Sequence, residues 1–159
     1  EKESNVDALY LVDSFGALYS EQISHLAKKY KSLMPTKEIG VHAHNNQQLA
    51  FANTIEAIIQ NVNYLDGTIF GIGRAAGNCP LELLLGFLKN PKYDLRPILE
   101  ILESHFVKLK EEIEWGYTIP YMITGILDLH PRAGMKLRKS ESKDDYLGFF
   151  DSLAQSDSA

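Results

Sequence analysis

Three short apolar runs, each closing on polar residues and each followed by a helical stripe, limit what this chain can fold into. Ala8-Leu9-Tyr10-Leu11-Val12 is nearly continuous in apolar character, as in a strand buried on both faces of a parallel sheet. It ends in Asp13-Ser14-Phe15-Gly16, after which Ser20 fits a helix N-cap with Glu21 in the first turn. Ile23, Leu26, Ala27 and Tyr30 then recur at helical spacing. The second run starts at Glu38 and ends in His42-Ala43-His44-Asn45-Asn46. A helix from about Gln47 to Asn61 follows, with Leu49, Ala52, Ile55, Ile59 and Val62 on its apolar face. The third run, Tyr64 to Phe70, passes through Gly71, Gly73 and Gly77 into a helix near Pro80 that carries Leu81, Leu84, Leu85 and Leu88; Asn90-Pro91 stops it. This alternation predicts parallel βα units with right-handed crossovers. Chemistry in such folds gathers at the C-terminal ends of the strands, where Asp13, both histidines and the Gly-rich loop fall.

His42 and His44 lie two apart on a strand and therefore share a face. Two imidazoles so placed can hold one divalent cation; the plainer reading is a pair of hydrogen-bonded polar residues. Gly71, Gly73 and Gly77 do not have dinucleotide-fingerprint spacing, and tight packing at a strand-to-helix turn accounts for them. The net charge of −5 speaks against a nucleic-acid binder. No apolar run reaches membrane-spanning length, and Glu1 to Asn5 has no signal-peptide character. Cys79 is the only cysteine, so no internal disulfide forms, and a reducing cytoplasm is the expected location. The chain has no starting Met and reads as though it begins in the middle of something larger.

Beyond Pro91 the character changes. Leu95 to Glu114 has helical apolar spacing, and residues 116–135 are expected to hold a short helix and turns. Lys139 to Asp145 reads as a solvated linker, Tyr146 to Leu153 as a docking helix, and 155–159 as a disordered tail.

"VDSFG" after one strand, "GVHAHNNQQLAFAN" on the next and "DGTIFGIGRAAGNCPLE" on the third together resemble the last three strands of a metal-dependent aldolase barrel. The family is the HMG-CoA lyase-like, or DRE-TIM, metallolyases, and the aldolase branch acting on 4-hydroxy-2-oxo acids fits best. The resemblance spans about residues 7–90 and, more loosely, 95–135. It implies an α/β fold: about three βα units (1–90) forming the C-terminal part of a TIM (β/α)8 barrel, followed by a helical extension (91–154). A complete barrel needs about 250 residues, so the expectation is half of a longer enzyme, lacking the Asp and Arg of the family's first-strand motif.

The resemblance also implies roles. His42, His44 and Asn78 match metal-binding positions, with Mn²⁺ or Mg²⁺ as the ion. Asp13 and Ser14 match the substrate-pocket rim, and Tyr117 or Tyr121 matches a catalytic tyrosine of the extension, with no choice between them. Gly73 offers backbone approach to substrate, and Arg74 is expected to meet a carboxylate or to lie free on the surface. For Asn78 the plainer reading is a helix cap, and for Asp66 a turn residue rather than a partner of a histidine. His25 and His105 read as ordinary helix residues, His130 as a loop residue without a partner, and Cys79 as a buried thiol. The implied partners are a small 2-oxo acid, the missing N-terminal barrel half, and a second copy or a dehydrogenase. Two other readings compete: a Claisen-type acyl transferase of the same family, and a non-catalytic assembly fragment. An amidohydrolase barrel also carries His-x-His, but on its first strand, which the strand count here opposes.

Overall fold

Strands β1 (Ala8–Asp13), β2 (Glu38–Ala43) and β3 (Tyr64–Leu65) form one parallel sheet in the order β1-β2-β3. This is seen in a computed structural model that describes residues 5–156. Helix α1 (Ser20–Leu33) connects β1 to β2, α2 (Ala50–Ile59) connects β2 to β3, and α3 (Leu81–Leu88) follows the Gly-rich loop. The alternation read from the sequence is therefore present.

Leu11, Ile23, Val41 and Ala57 are buried together, with Leu26, Tyr30 and Leu65 packed around them. Leu11, Ile23 and Val41 each contribute roughly 1.5–3 kcal/mol on full burial. A second cluster of Ala43, Ala50, Cys79 and Leu84 ties α3 to the end of β2.

Several boundaries differ from the sequence reading. β1 is covered on one face only: Tyr10 is 39% and Val12 49% exposed, because α1 and α2 both pack on the opposite face. Tyr19, not Ser20, precedes the first turn of α1, and its backbone N–H donates to the Gln22 side chain. α2 begins at Ala50 rather than Gln47 because the Asn45 side chain accepts the Ala50 N–H and Gln48 adopts a positive φ of 62°. β3 is two residues long. The chain leaves it through a 3₁₀ turn at Ile69–Gly71, where Phe70 has φ 56°, and then doubles back.

The segment after Pro91 is helical. α4 (Arg96–Ile101), a π-helical stretch (Leu102–Phe106) and α5 (Val107–Glu112) run consecutively. α6 (Ile119–Ile126), α7 (Arg132–Arg138) and α8 (Tyr146–Ser156) follow, so 116–135 carries α6 and the start of α7 rather than a single short helix. Tyr121 of α6 is buried with Ala75 and Ala76 of the Gly-rich loop, which docks the extension on the strand-end rim. Gly125 lets α6 approach the β2–α2 loop: a Cβ there would lie 3.0 Å from both Asn46 Cβ and Gln47 Cγ. α8 meets α6 but leaves Tyr146, Leu147 and Phe150 exposed, so it docks less fully than its apolar pattern suggested. Gln155 and Ser156 belong to α8 instead of a disordered tail, and 157–159 lie outside the described residues. Among the described residues no helix is long and apolar enough to cross a membrane.

Candidate metal centre

His42 is the fifth residue of β2, and His44 follows the strand in an isolated antiparallel bridge to Asn78. Their rings meet edge to face with centroids 5.1 Å apart, so the pair expected from i, i+2 spacing is formed. Asn78 reaches this position because the chain after the 3₁₀ turn runs back beside β2: Asn45 N–H donates to Gly77 O at 2.9 Å and Cys79 N–H to Ala43 O at 3.2 Å. Gly77 makes the return possible, since its φ is +82° and a Cβ would lie 2.1 Å from Gly71 O.

Asn78 does not cap α3, whose N-terminus is Pro80 with no side-chain cap. Its amide Nδ2 donates to Ile72 O at 3.1 Å, and its Oδ1 is buried without a partner. Gly73 accommodates that amide, because a Cβ on Gly73 would lie 2.5 Å from Asn78 Nδ2. A buried, unpaired acceptor costs about 1–3 kcal/mol, and such atoms commonly mark an ion or water site.

Burial, reinforced by the neighbouring His42 and Arg74, pushes the His44 imidazole down to about 4, so it is neutral at ordinary pH. A neutral imidazole is the ligating form. His42 Nδ1 lies 3.0 Å from Asp66 Oδ2, so Asp66 partners a histidine rather than serving as a plain turn residue. The register sets the contact: β3 pairs Gly40 with Tyr64 and Val41 with Leu65, which brings the next residue beside His42. Imidazole nitrogens and an amide oxygen are both donor types that divalent cations accept. Among the described residues no group of three His, Cys, Asp or Glu side chains could hold a metal by itself.

The other expected site residues separate into two groups. Arg74 and Ser14 meet at the rim, where the guanidinium donates to Ser14 O at 3.2 Å. Asp13 is 3% exposed and turned into its own loop, accepting Ala17 N–H at 3.0 Å and Leu18 N–H at 3.3 Å. Burial outweighs those bonds and raises its carboxyl above the ordinary range. Tyr121 is buried under the Arg138 guanidinium, and that burial raises its phenol. Tyr117 is exposed and lines a groove of about 500 Å³ together with Asn45, Asn78, Phe70, Lys110 and Trp115. Trp115 holds the groove wall, with its indole N–H donating to Phe70 O at 2.8 Å.

His130 has partners after all: its ring packs edge to face on Phe15 at 5.4 Å, and Nδ1 accepts the Arg132 N–H. His25 and His105 are exposed on helical segments. Cys79 is fully buried, and burial pushes its thiol up to about 11.

The described site is thus a parallel α/β unit with paired imidazoles and an unpartnered amide oxygen near its strand ends. The HMGL-like family model matches residues 2–104, and the chain belongs to that family. It is 38% identical over 101 residues to the 4-hydroxy-2-oxovalerate aldolase of Thermus thermophilus, covering 61% of this chain and 29% of that protein. It is 35% identical over 88 residues to the oxaloacetate decarboxylase of Mycobacterium tuberculosis, covering 55% of this chain and 26% of that protein. Among solved structures, the N-terminal domain of a Bacteroides vulgatus protein assigned as an aldolase superposes with TM-score 0.77 and 32% identity, over 85% of this chain and 46% of that one. The chain thus spans about a quarter to a third of the length of the curated relatives it matches.

Proposed function

We propose that this chain is the histidine-bearing part of a divalent-metal-dependent lyase of barrel architecture, cleaving or forming a carbon–carbon bond beside a 2-oxo acid. The observation that carries this reading is the contact of the His42 and His44 rings at the end of β2, with Asn78, whose Oδ1 is buried and unpartnered, bridged to His44. His42, His44 and Asn78 would hold the ion. When bound, a divalent cation supplies positive charge against the oxygen that becomes negative as the bond breaks, an effect of several kcal/mol.

The chain's own residues do the rest. Burial keeps His44 neutral and available. Gly73 leaves room for the Asn78 amide. Arg74, pinned to the Ser14 carbonyl, offers a guanidinium at the rim for a substrate carboxylate. Of the two tyrosines we assign proton transfer to Tyr117, which lines the groove beside Asn78, whereas Tyr121 is packed in the core.

The sheet face carrying Tyr10, Val12, His42 and Tyr64 is the side a closed barrel would enclose, and its exposed aromatics call for the remaining strands. The complementary barrel part would bring the missing carboxylate ligand and catalytic Arg. By itself this chain is expected to release no pyruvate from a 4-hydroxy-2-oxo acid in the presence of Mn²⁺. Calorimetric titration with Mn²⁺ tests the reading: binding should weaken at least tenfold in His42→Ala and in His44→Ala. Equal affinity in the wild type and both variants refutes it, as does turnover by the chain alone that survives His42→Ala.

A further inference from the structure

We propose that Asp66 is a positioning residue that keeps the proton of His42 on Nδ1 and so reserves Nε2 as the nitrogen that binds a ligand. The metal side of this inference rests on the reading above; the tautomer does not.

Asp66 is held in place by the sheet itself. Its backbone N–H donates to Val41 O at 3.0 Å, continuing the β2–β3 ladder one step past Leu65. That step sets its carboxylate opposite His42, with Oδ2 3.0 Å from Nδ1. A carboxylate accepts only, so the atom facing it must carry the proton. His42 is fixed from its other neighbours too: Val12 is its register partner on β1, and the His44 ring stands edge-on to it. Nδ1 is thus committed and Nε2 is the nitrogen left open. A metal-binding histidine typically has its second ring nitrogen occupied in this way, which fixes the ring and makes it a better ligand.

An ordinary surface ion pair would place the same two side chains together, and both are partly exposed, at 28% and 44%. The two cases differ in where the imidazole proton sits once the ring is neutral. Tyr10 lies within electrostatic reach of Asp66 on the same sheet face, stacked on Tyr64 at 6.4 Å and lying over Gly40. It adds a phenol beside the carboxylate and no competing cation.

The test is long-range ¹H–¹⁵N NMR of the full chain in EDTA at pH 8.5. The wild type should show His42 protonated on Nδ1. Asp66→Ala should shift the proton toward Nε2, and Asp66→Asn, whose amide oxygen still accepts, should restore part of the Nδ1–H population. Circular dichroism of each variant separates this from misfolding. With Mn²⁺ as the probe, Asp66→Ala should weaken binding by about 10–100-fold. A wild-type proton on Nε2, or a tautomer unmoved in Asp66→Ala, overturns the proposal. If the wild type shows the Nδ1 proton but takes up no Mn²⁺, the metal reading fails and the positioning role of Asp66 stands.

Discussion

Replacing Asp13 by alanine distinguishes a pocket-lining carboxylate from one that builds the loop. Asp13 accepts two backbone amides, from Ala17 and Leu18. Hydrogen bonds to a charged acceptor contribute about 1.5–3 kcal/mol each, a gross ~3–6 kcal/mol. Part of this is offset by the cost of burying the charge, a cost large enough to raise the carboxyl despite the two bonds. The net loss in Asp13→Ala should then be about 2–3 kcal/mol, or roughly 4–12 °C in Tm for a domain of this size. The pH dependence has a definite sign. A carboxyl raised in the folded state binds its proton there more readily than in the unfolded chain. Its contribution is therefore most favourable below the ordinary carboxylate range and declines as pH rises through the raised value. Asp13→Ala should remove that part of the profile. Urea unfolding followed by Trp115 fluorescence between pH 4 and 7 measures both effects. A variant within ~0.5 kcal/mol of wild type at every pH, with substrate or metal binding lost, would show that Asp13 serves the pocket and that its amide bonds are incidental.

The two tyrosines should part company under mutation. Tyr121→Ala, in the buried cluster with Ala75 and Ala76, should cost about 3–5 kcal/mol. Tyr117→Ala should cost under about 1 kcal/mol while altering whatever the groove binds; the reverse order in thermal melts would contradict the packing described. Cys79, buried and with its thiol pushed up to about 11, should resist iodoacetamide at pH 8 in the folded protein and react promptly in denaturant; fast native labelling would mean that the Ala43–Ala50–Leu84 cluster opens.

The parallel βα order was legible because apolar runs and helical stripes are set by local periodicity. His42 and His44 were legible because strand alternation fixes their common face. The Asp66 contact depended on register between β2 and β3, which neither segment carries alone. The brevity of β3 was hidden because Ile69 and Phe70 look strand-like, while a positive φ at Phe70 turns them into a 3₁₀ turn. The pairing of Phe15 with His130 joins residues 115 positions apart and leaves no local trace. Asn78 looked like a cap because Pro80 opens a helix, yet the return of the chain along β2 gives it a different neighbour, His44.

Gln47 has a consequence for how the extension relates to the rest of the chain. Its amide donates to Ala17 O and to Gly125 O, both at 3.2 Å, and accepts the Tyr19 hydroxyl at 2.9 Å. One side chain three residues beyond His44 therefore stitches together the β1–α1 connection, the β2–α2 connection and α6. Swapping this extension for a relative's would require an α6 that again brings a main-chain carbonyl to Gln47 and carries no Cβ where it meets Asn46. A chimera whose α6 carried a side chain at position 125 would press on Asn46 and Gln47 and open that seam.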